Sequence, residues 1–324
     1  MKILITGING FVGSHLAERC LKLPDTEVIG TIRYNHTGQE LKNIEHIKDQ
    51  ITLEHGDLTD YNFVFDVINR HKPDFIFHLA AQSFVKESFA SPRMTLNNNI
   101  NMQLNVLEAV RMLKLTDTVV HVACSSEEYG LVKSEECPIS EKNALIPLSP
   151  YAVSKITQDF MAQNYYLTYG VKTIITRAFN HEGPRRGRDF VLSSFAEQIV
   201  KIENGLQEPI IKVGNLDSQR DFTHIDDMIR AYLLAVVECD YGTPYNIGTG
   251  ETITIKEALN YMISKSTVKD IKIVQDKERM RPSDVVLLKC DATKFKKKTG
   301  WKPLKTTQNI LFDILNYWRE EYKK

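Results

Sequence analysis

The sequence predicts an α/β protein with a doubly wound parallel sheet and a smaller α/β lobe formed by its C-terminal part. Short apolar segments of strand type alternate with longer segments of helical periodicity through the first half of the chain. Such alternation is typical of parallel βαβ units. Residues 75–77 and 119–120 are uninterrupted apolar runs, as expected for strands that helices cover on both faces.

The predicted elements follow one another in a regular order. The apolar runs predict strands at residues 2–6, 27–31, 51–54, 75–79, 118–123 and 172–177. The helical periodicity predicts helices at residues 13–22, 61–71, 96–113 and 151–169. Residues 180–222 are rich in Gly, Pro, Arg and Asp, and the remaining predicted helices lie at residues 193–204, 255–265 and 308–323.

This change in composition and periodicity predicts two domains in the 324 residues. Residues 1–178 and 221–249 would form a nucleotide-binding domain. Residues 179–220 and 250–324 would form the smaller lobe, which binds the substrate. A chain of this length buries enough apolar surface to fold without disulfides or a structural metal.

The composition excludes several classes of protein. Lys+Arg and Asp+Glu both number 41, and zero net charge argues against a protein that coats nucleic acid or an anionic membrane. The five cysteines include no CxxC pair, which argues against a zinc ribbon or a redox motif, and free thiols fit a reducing cytosol. No apolar stretch approaches the ~18 residues of a membrane span. We therefore expect a cytoplasmic protein with no metal centre, no nucleic-acid partner and no membrane association.

Three glycines with the spacing GxxGxxG follow the first predicted strand and open the first helix. They are Gly7, Gly10 and Gly13. Glycines at these places permit a tight turn and let backbone N–H groups approach a pyrophosphate at the helix N-terminus. The strand–turn–helix context therefore predicts a dinucleotide site in a Rossmann domain.

The ends of the second and third strands bear on the choice of cofactor. Residues 30–33 read Gly-Thr-Ile-Arg, so no carboxylate stands where an acidic residue would hold the ribose 2′-hydroxyl of NAD. This favours NADP, whose 2′-phosphate Arg33 would bind. Alternatively, Arg33 covers the adenine face or contacts a neighbouring subunit. Asp57, in segment 56–60, either accepts a hydrogen bond from the adenine amino group or caps the next helix.

A YxxxK pair, Tyr151 and Lys155, lies on a predicted helix. Four residues make about one helical turn, so the phenol and the ammonium share one face. A nearby lysine lowers a tyrosine pKa toward neutrality, which makes the phenolate a usable base at a sugar hydroxyl. The preceding strand ends in Cys-Ser-Ser-Glu-Glu-Tyr-Gly, residues 124–130, at the carboxyl edge where such sheets bind ligands. Together these features predict a tyrosine-dependent oxidoreductase.

The chain resembles the extended short-chain dehydrogenases/reductases of the NAD(P)-dependent epimerase/dehydratase family, and among them the GDP-mannose 4,6-dehydratases. The resemblance spans nearly the whole chain and is carried by the segments GINGFVGSHL, HGDLTD, AAQSFVKESF, SSEEYG, SPYAVSK, FNHEGPRRGRDFV, VGNLDSQRDF, RPSDV and TGWKP. Residues 180–187 are the most diagnostic, because sibling reductases and epimerases usually differ there. The chain departs from the dehydratases in having only Arg33 where they carry paired arginines, and Ser125 where they carry threonine.

The resemblance implies three steps on a GDP-hexose: oxidation of C4 by hydride transfer to NADP, loss of water across C5 and C6, and return of the hydride to C6. Tyr151, assisted by Lys155, would be the base at the C4 hydroxyl, and Ser125 would hydrogen-bond the same oxygen. Glu127 would take the C5 proton and pass it to the leaving C6 hydroxyl, although Glu128 beside it is easily mistaken for it. A reductase or epimerase does not need a carboxylate for this elimination, so Glu127 separates the hypotheses.

The resemblance also implies the binding residues and the assembly. The NADP site would comprise Gly7, Asn9, Gly10, Phe11, Val12, Gly13, Arg33, Asp57, Leu58, Leu79, Ala80, Ala81, Tyr151 and Lys155. The GDP-sugar site would comprise Ser83, Ser126, Asn180, Arg186, Asn215, Arg220, Arg281 and Asp284, with Arg220 and Arg281 on the diphosphate. The sugar would be mannose or a related hexose such as N-acetylglucosamine. Residues 96–113 and 151–169 would join subunits into a homodimer or homotetramer.

Two other functions stay open. A GDP-4-keto-6-deoxyhexose reductase or a nucleotide-sugar C4 epimerase would use the same scaffold, and such reductases also carry segments like SSEEYG and RPSDV. The other is a non-catalytic dinucleotide-binding sensor or scaffold. The intact set of Ser125, Glu127, Tyr151 and Lys155 argues against it.

Overall fold

The computed structural model describes residues 1–33, 41–280 and 285–323. Its strands are β1 Lys2–Thr6, β2 Glu27–Ile32, β3 Thr52–His55, β4 Phe75–His78, β5 Val119–Ser125, β6 Lys172–Ala178, β7 Asn180–Glu182, β8 Ile210–Val213, β9 Gln219–Arg220, β10 Phe222–His224, β11 Pro244–Ile247, β12 Ile253–Thr254, β13 Lys272–Gln275 and β14 Leu287–Leu288. Its α-helices are α1 Phe11–Cys20, α2 Tyr61–His71, α3 Val85–Ala90, α4 Pro92–Met112, α5 Pro150–Tyr169, α6 Val191–Glu203, α7 Ile225–Glu238, α8 Ile255–Ser264, α9 Thr293–Thr299 and α10 Thr307–Glu321. The predicted site residues Arg281 and Asp284 lie outside the described residues.

The main sheet has seven parallel strands in the order β3-β2-β1-β4-β5-β6-β11. The order reverses at β1, so the chain winds outward from the centre in both directions. In such sheets ligands bind outside the carboxyl ends of the strands, at the reversal point. The observed topology confirms the predicted doubly wound α/β fold.

Helices cover both faces of this sheet. Apolar residues of α1 and α7 form one core with side chains such as Ile3 and Ile5. Residues of α2, α4 and α5 form the other core, which contains the intervening Leu4. This division follows from strand geometry, because successive side chains point to opposite faces. It also explains why central strands such as β1 have apolar side chains on both faces.

Two elements of the sheet domain were not predicted as such. The edge strand β11 contains Pro244 and Asn246, and both residues make its sequence read as a loop. Asn246 is nevertheless buried, because its side chain accepts a hydrogen bond from the Tyr129 hydroxyl at 2.6 Å and donates to the Ile139 carbonyl at 3.0 Å. Helix α7, which precedes it, has an apolar face that packs in the core beside α1.

The later segments form a separate core. Helices α6, α8 and α10 pack around Phe195, Leu259 and Ile314, together with residues of β8. The short strands pair as β8 with β13, β7 with β10, and β9 with both β12 and β14. The predicted boundaries of the two domains stay a prediction. Among the described helices, none is long and apolar enough to cross a membrane.

One buried carboxylate connects these two parts of the chain. Asp221, between β9 and β10, accepts hydrogen bonds from the backbone N–H groups of Thr249, Gly250 and Cys290 at 3.0, 2.8 and 3.3 Å. It also accepts the Thr249 hydroxyl at 2.6 Å. These bonds fix the strand pair β7–β10 against the edge of the main sheet, where β6 continues into β7.

Candidate active site

Two cavities open at the carboxyl edge of the main sheet. The first, the sheet-edge cavity, has a volume of about 710 Å³ and is lined by the turn after β1 and the ends of β2, β4 and β5. The second, the lobe cavity, has a volume of about 900 Å³ and is lined mainly by α6, β8 and residues 276–280. Phe84, Glu127, Asn180 and Phe190 line both, so the two cavities meet there.

The glycine turn has no room for side chains. Gly7 has a φ of +66°, a region that favours glycine. A Cβ on Gly13 would lie 2.4 Å from the Gly7 carbonyl oxygen and 2.8 Å from the Ile8 Cα. Gly10 is the N-cap of α1 and, as a glycine, has no side chain to bond the N–H groups of the first turn. The turn therefore suits a phosphate group.

Every residue predicted to bind the cofactor lines the sheet-edge cavity. Arg33 follows β2, and its Nη1 lies 4.0 Å from Oδ2 of Asp57 while 72% of its side chain is exposed. Asp60, not Asp57, caps α2, because its side chain accepts the Asn62 N–H. Asp60 is therefore the residue that caps the helix. Asp57 lines the sheet-edge cavity, where the other expected role, a hydrogen bond with adenine, stays a prediction.

The tight turn after β5 separates the two adjacent glutamates. Glu127 lines both cavities. Glu128 is fully buried and points away from them, where its Oε1 accepts the Ser125 N–H at 2.9 Å. Its Oε2 lies 3.4 Å from Nε of Arg177, which also pairs with Asp159 at 2.8 Å. Glu127 is therefore the carboxylate that a ligand can reach, and Glu128 belongs to a buried ionic cluster.

That cluster has its own electrostatics. Burial raises the pKa of Glu128, Asp159 raises it further, and Arg177 lowers it. Among the described residues, Cys124, Glu128 and Asp159 each have one atom of a type that binds metals, and these three atoms lie within 4.8 Å of one another. The Arg177 guanidinium already supplies the positive charge there, so we assign this cluster to structure and not to a metal.

Helix α5 presents the Tyr151–Lys155 pair to the cavity. Ser149 caps the helix by accepting the Ala152 N–H, and Pro150 occupies its first turn. The Lys155 ammonium donates to the Ala123 carbonyl at 2.8 Å and lies 5.8 Å from the centroid of the Tyr151 ring. The Ser125 side chain, at the end of β5, lines the same cavity. The ends of β5 and α5 thus bring together the residues that the sequence predicts to be catalytic.

The acidity of Tyr151 differs from the expectation. We expected Lys155 to lower the tyrosine pKa, but burial raises the pKa of Tyr151 above its ordinary value, although the Ser125 side chain lowers it. The charges of Glu127 and Glu128 raise it further. Burial also lowers the pKa of Lys155. The protein alone therefore does not supply an acidic tyrosine, and further positive charge is needed at the reacting centre.

The predicted substrate residues divide between the cavities. Ser83, Ser126 and Arg186 line the sheet-edge cavity, Asn215 and Arg220 line the lobe cavity, and Asn180 lines both. Arg186 lies between two aromatic rings, 3.4 Å from the Phe190 centroid and 4.9 Å from that of Phe11. Arg220 donates to the Val285 carbonyl at 2.7 Å.

Sequence analysis missed several charged residues of the lobe cavity. Its wall also carries cations and carboxyl groups in similar number: Lys86, Arg188, Lys201, Lys212 and Arg279, and Glu182, Asp189, Glu197, Glu208, Asp276 and Glu278. The cations come from distant segments, and no local pattern singles them out. Glu182 lies within segment 180–187, which the resemblance marks as diagnostic, so the sequence could have indicated this residue.

Comparisons with known proteins give a consistent result. The model of the family described as GDP-mannose 4,6 dehydratase matches residues 4–314. The chain is 34% identical to the human GDP-mannose 4,6 dehydratase over 338 residues, covering 96% of this chain and 88% of that protein. It is 31% identical to the GDP-6-deoxy-D-mannose reductase of Pseudomonas aeruginosa over 323 residues, covering 100% of this chain and 99% of that protein.

A solved structure agrees over the full length. The RMD protein of Pseudomonas aeruginosa, complexed with NADPH, superposes with a TM-score of 0.84 and 29% sequence identity, covering 99% of both chains. The predicted recognition of this family is confirmed.

The contrast between the adjacent glutamates predicts different effects on stability. Glu128→Ala should lower the free energy of unfolding by about 1–3 kcal/mol, because it leaves the N–H of Ser125 without its partner and removes a buried contact of Arg177. Glu127→Ala should change it by less than about 1 kcal/mol, because this side chain lies at the cavity wall. Urea unfolding of both variants measures the difference. Equal losses would show that the turn does not separate the two residues.

Proposed function

Because the chain belongs to the GDP-mannose 4,6-dehydratase family, we propose that it is a GDP-hexose 4,6-dehydratase that recycles a bound nicotinamide cofactor. The observation that carries this proposal is the position of Glu127. It reaches the junction of both cavities from the turn that also carries Ser125, which lines the sheet-edge cavity together with Tyr151. A carboxylate at that place supplies the base that elimination needs and that simple reduction does not.

We propose NADP as the cofactor, in the sheet-edge cavity. The glycine turn suits the pyrophosphate, and the volume of about 710 Å³ lies in the range of ligand sites. Arg33 is exposed at the end of β2, with no acidic side chain in residues 30–33 to repel a 2′-phosphate. The NADPH complex of the similar Pseudomonas aeruginosa protein supports the same choice.

When bound, the nicotinamide supplies a hydride acceptor, a positive charge that favours the phenolate of Tyr151 and, once reduced, a hydride donor. Tyr151 takes the proton of the C4 hydroxyl as C4 is oxidised. Lys155, anchored on the Ala123 carbonyl, adds positive charge nearby. Ser125 donates a hydrogen bond to the same sugar oxygen and stabilises its developing charge.

Glu127 performs the step that defines a dehydratase. Once C4 is a ketone, the C5 proton is acidic, and the Glu127 carboxylate removes it as the C6 hydroxyl leaves. Glu128 cannot take this role, because Ser125 and Arg177 occupy its oxygens on the far side of the turn. A bound nicotinamide would then return the hydride to C6, so that each turnover would leave the cofactor in its starting state.

We propose that the lobe cavity binds the GDP group. Its volume of about 900 Å³ suits a nucleoside diphosphate, and arginine and lysine side chains line it. Arg220 is a buried guanidinium on this wall and is suited to bind two diphosphate oxygens. Asn180 and Glu127, which line both cavities, would place the hexose between the diphosphate and the nicotinamide.

A second candidate is a GDP-4-keto-6-deoxyhexose reductase. The observation in its favour is length, because the chain aligns end to end with the Pseudomonas aeruginosa reductase over 323 residues. In contrast, the alignment with the human dehydratase extends over 338 positions although it covers only 96% of the chain. A reductase would consume NADPH stoichiometrically, whereas a dehydratase needs none from solution.

Incubation with GDP-mannose and related GDP-hexoses, without added cofactor, tests the proposed function. We expect a product lighter than the substrate by one molecule of water, detected by mass spectrometry, at many turnovers per enzyme. A parallel incubation of a GDP-4-keto-6-deoxyhexose with NADPH tests the second candidate. Turnover in the second reaction alone would make the protein a reductase.

Glu127→Gln should stop the elimination while the first oxidation persists. The amide cannot accept the C5 proton, and loss of one general base usually costs about 100- to 10,000-fold in rate. Reduced nicotinamide should accumulate with a bound 4-keto sugar, and C5 should not exchange with deuterium from solvent. Tyr151→Phe, as the comparison, should block both reduction and exchange. Exchange at the wild-type rate in Glu127→Gln would transfer the role to another residue.

Arg33→Asp should lower the affinity for NADP by about 10- to 100-fold, because a charged hydrogen bond to phosphate contributes about 1.5–3 kcal/mol. Affinity for NAD, which lacks the phosphate, should not fall. Calorimetric titration of both nucleotides measures the ratio. The nucleotide released on denaturing the wild-type protein should be NADP(H), and recovery of NAD alone would refute the assignment.

We propose a homodimer or homotetramer joined through α4 and α5. On α5, Val153, Phe160 and Leu167 are 41, 54 and 78% exposed, and spacing by seven places them on nearly one helix face. Replacing Phe160 and Leu167 by glutamate should convert the assembly to monomers in sedimentation, whereas Leu206→Glu, at an exposed leucine outside these helices, should not. A wild-type monomer at micromolar concentration would contradict this.

We also propose a cytoplasmic location. All five cysteines are unpaired, and four of them are buried. Unpaired thiols in a folded protein are typical of a reducing compartment.

A further inference from the structure

Strand β7 places a second carboxyl group, that of Glu182, on the wall of the lobe cavity, two residues after Asn180, which lines both cavities. Side chains alternate along a strand, so Asn180 and Glu182 share one face of β7, and both line the lobe cavity. His181 lies between them and stacks on Phe11, with ring centroids 6.1 Å apart, at the sheet-edge cavity. Pairing with β10 fixes this register, because Glu182 lies opposite His224.

Glu182 is a buried carboxyl group with an unsatisfied oxygen. Only 3% of it is exposed, and Oε2 has no hydrogen-bond partner among the described residues. Its other oxygen lies 3.7 Å from Nε of Arg186. A buried polar atom without a partner usually costs about 1–3 kcal/mol. Its presence on a cavity wall therefore points to a ligand group that completes the contact.

The surroundings of Glu182 also favour its neutral form. Burial raises the pKa of Glu182 to about 7, although Arg186 lowers it. A large fraction of the group therefore carries a proton at neutral pH and can donate it. Glu127, in contrast, lies at the junction with part of its surface exposed.

We infer that Glu182 is the general acid that protonates the departing C6 hydroxyl, while Glu127 acts only as the base at C5. This inference rests on the proposed dehydratase function. The resemblance gives both proton transfers, from C5 and to the C6 hydroxyl, to Glu127 alone. Here Glu127 performs the first and Glu182 the second.

The division accounts for every proton. Glu127 takes the C5 proton, the C–H electron pair forms the C5–C6 double bond, and the C6–O bond breaks as the oxygen takes the Glu182 proton and leaves as water. Glu127 then still holds a proton for C5 when the hydride returns to C6. The proton that Tyr151 took from the C4 hydroxyl replaces that of Glu182 through solvent, so all three groups return to their starting states.

Glu182→Gln tests this assignment, with GDP-mannose and its 6-deoxy-6-fluoro analogue as the two substrates. Fluoride leaves without the proton that hydroxide needs. The variant should therefore lose about 100- to 10,000-fold in water elimination but expel fluoride within about threefold of the wild-type rate. Its bound 4-keto sugar should still exchange the C5 hydrogen with deuterium from solvent, because Glu127 is intact. Glu203→Gln, at a buried carboxylate paired with Arg319 at 2.7 Å and outside both cavities, is the matched control.

Three outcomes would overturn the inference, and they are distinguishable. Wild-type water elimination in Glu182→Gln would show that another group is the acid. Equal loss with both substrates would show that Glu182 supports binding or folding and not proton donation. If the wild-type protein eliminates neither water nor fluoride, the dehydratase function itself fails, and the acid role fails with it.

Discussion

The geometry of the site depends on one buried guanidinium. Arg177, on β6, contacts Glu128 in the turn after β5 at 3.4 Å and Asp159 on α5 at 2.8 Å. Its Nη1 also donates to the Tyr129 hydroxyl at 3.2 Å, and that hydroxyl donates to Asn246 on β11. A charge so deeply buried is tolerated only when it is fully paired. The requirement to pair Arg177 therefore sets the turn that carries Ser125 and Glu127 against the helix that carries Tyr151 and Lys155.

This arrangement explains how adjacent residues of one type take different roles. The turn directs Glu128 inward to Arg177 and leaves Glu127 at the junction of the cavities. Glu182, on β7, lines the lobe cavity next to that junction. The three carboxyl groups differ in what surrounds them: Glu128 contacts Arg177, Glu127 lines both cavities, and Glu182 lies buried at the wall of the lobe cavity, where burial raises its pKa to about 7.

Much of the fold could be predicted from local patterns. Helix α2 was predicted with the observed limits and β1 likewise, because each has strong periodicity and clear boundaries. Strand β11 was not, because Asn246 is buried through bonds to residues more than 100 positions away. The glycine turn and the YxxxK pair are contiguous motifs and were found. The separation of Glu127 from Glu128, the raised pKa of Tyr151 and the open oxygen of Glu182 depend on contacts between distant segments, which no local pattern contains.

The central claim is that the hydride removed from C4 returns to C6 of the same sugar. The most direct measurement uses GDP-mannose with deuterium at C4, mixed with unlabelled GDP-mannose, and locates the label in the product by NMR and mass spectrometry. The account predicts that the deuterium appears at C6 of the 4-keto-6-deoxy product, on the molecules that carried it at C4. Deuterium released into free NADPH, or no 4-keto-6-deoxy product unless NADPH is supplied with an already oxidised sugar, would contradict it.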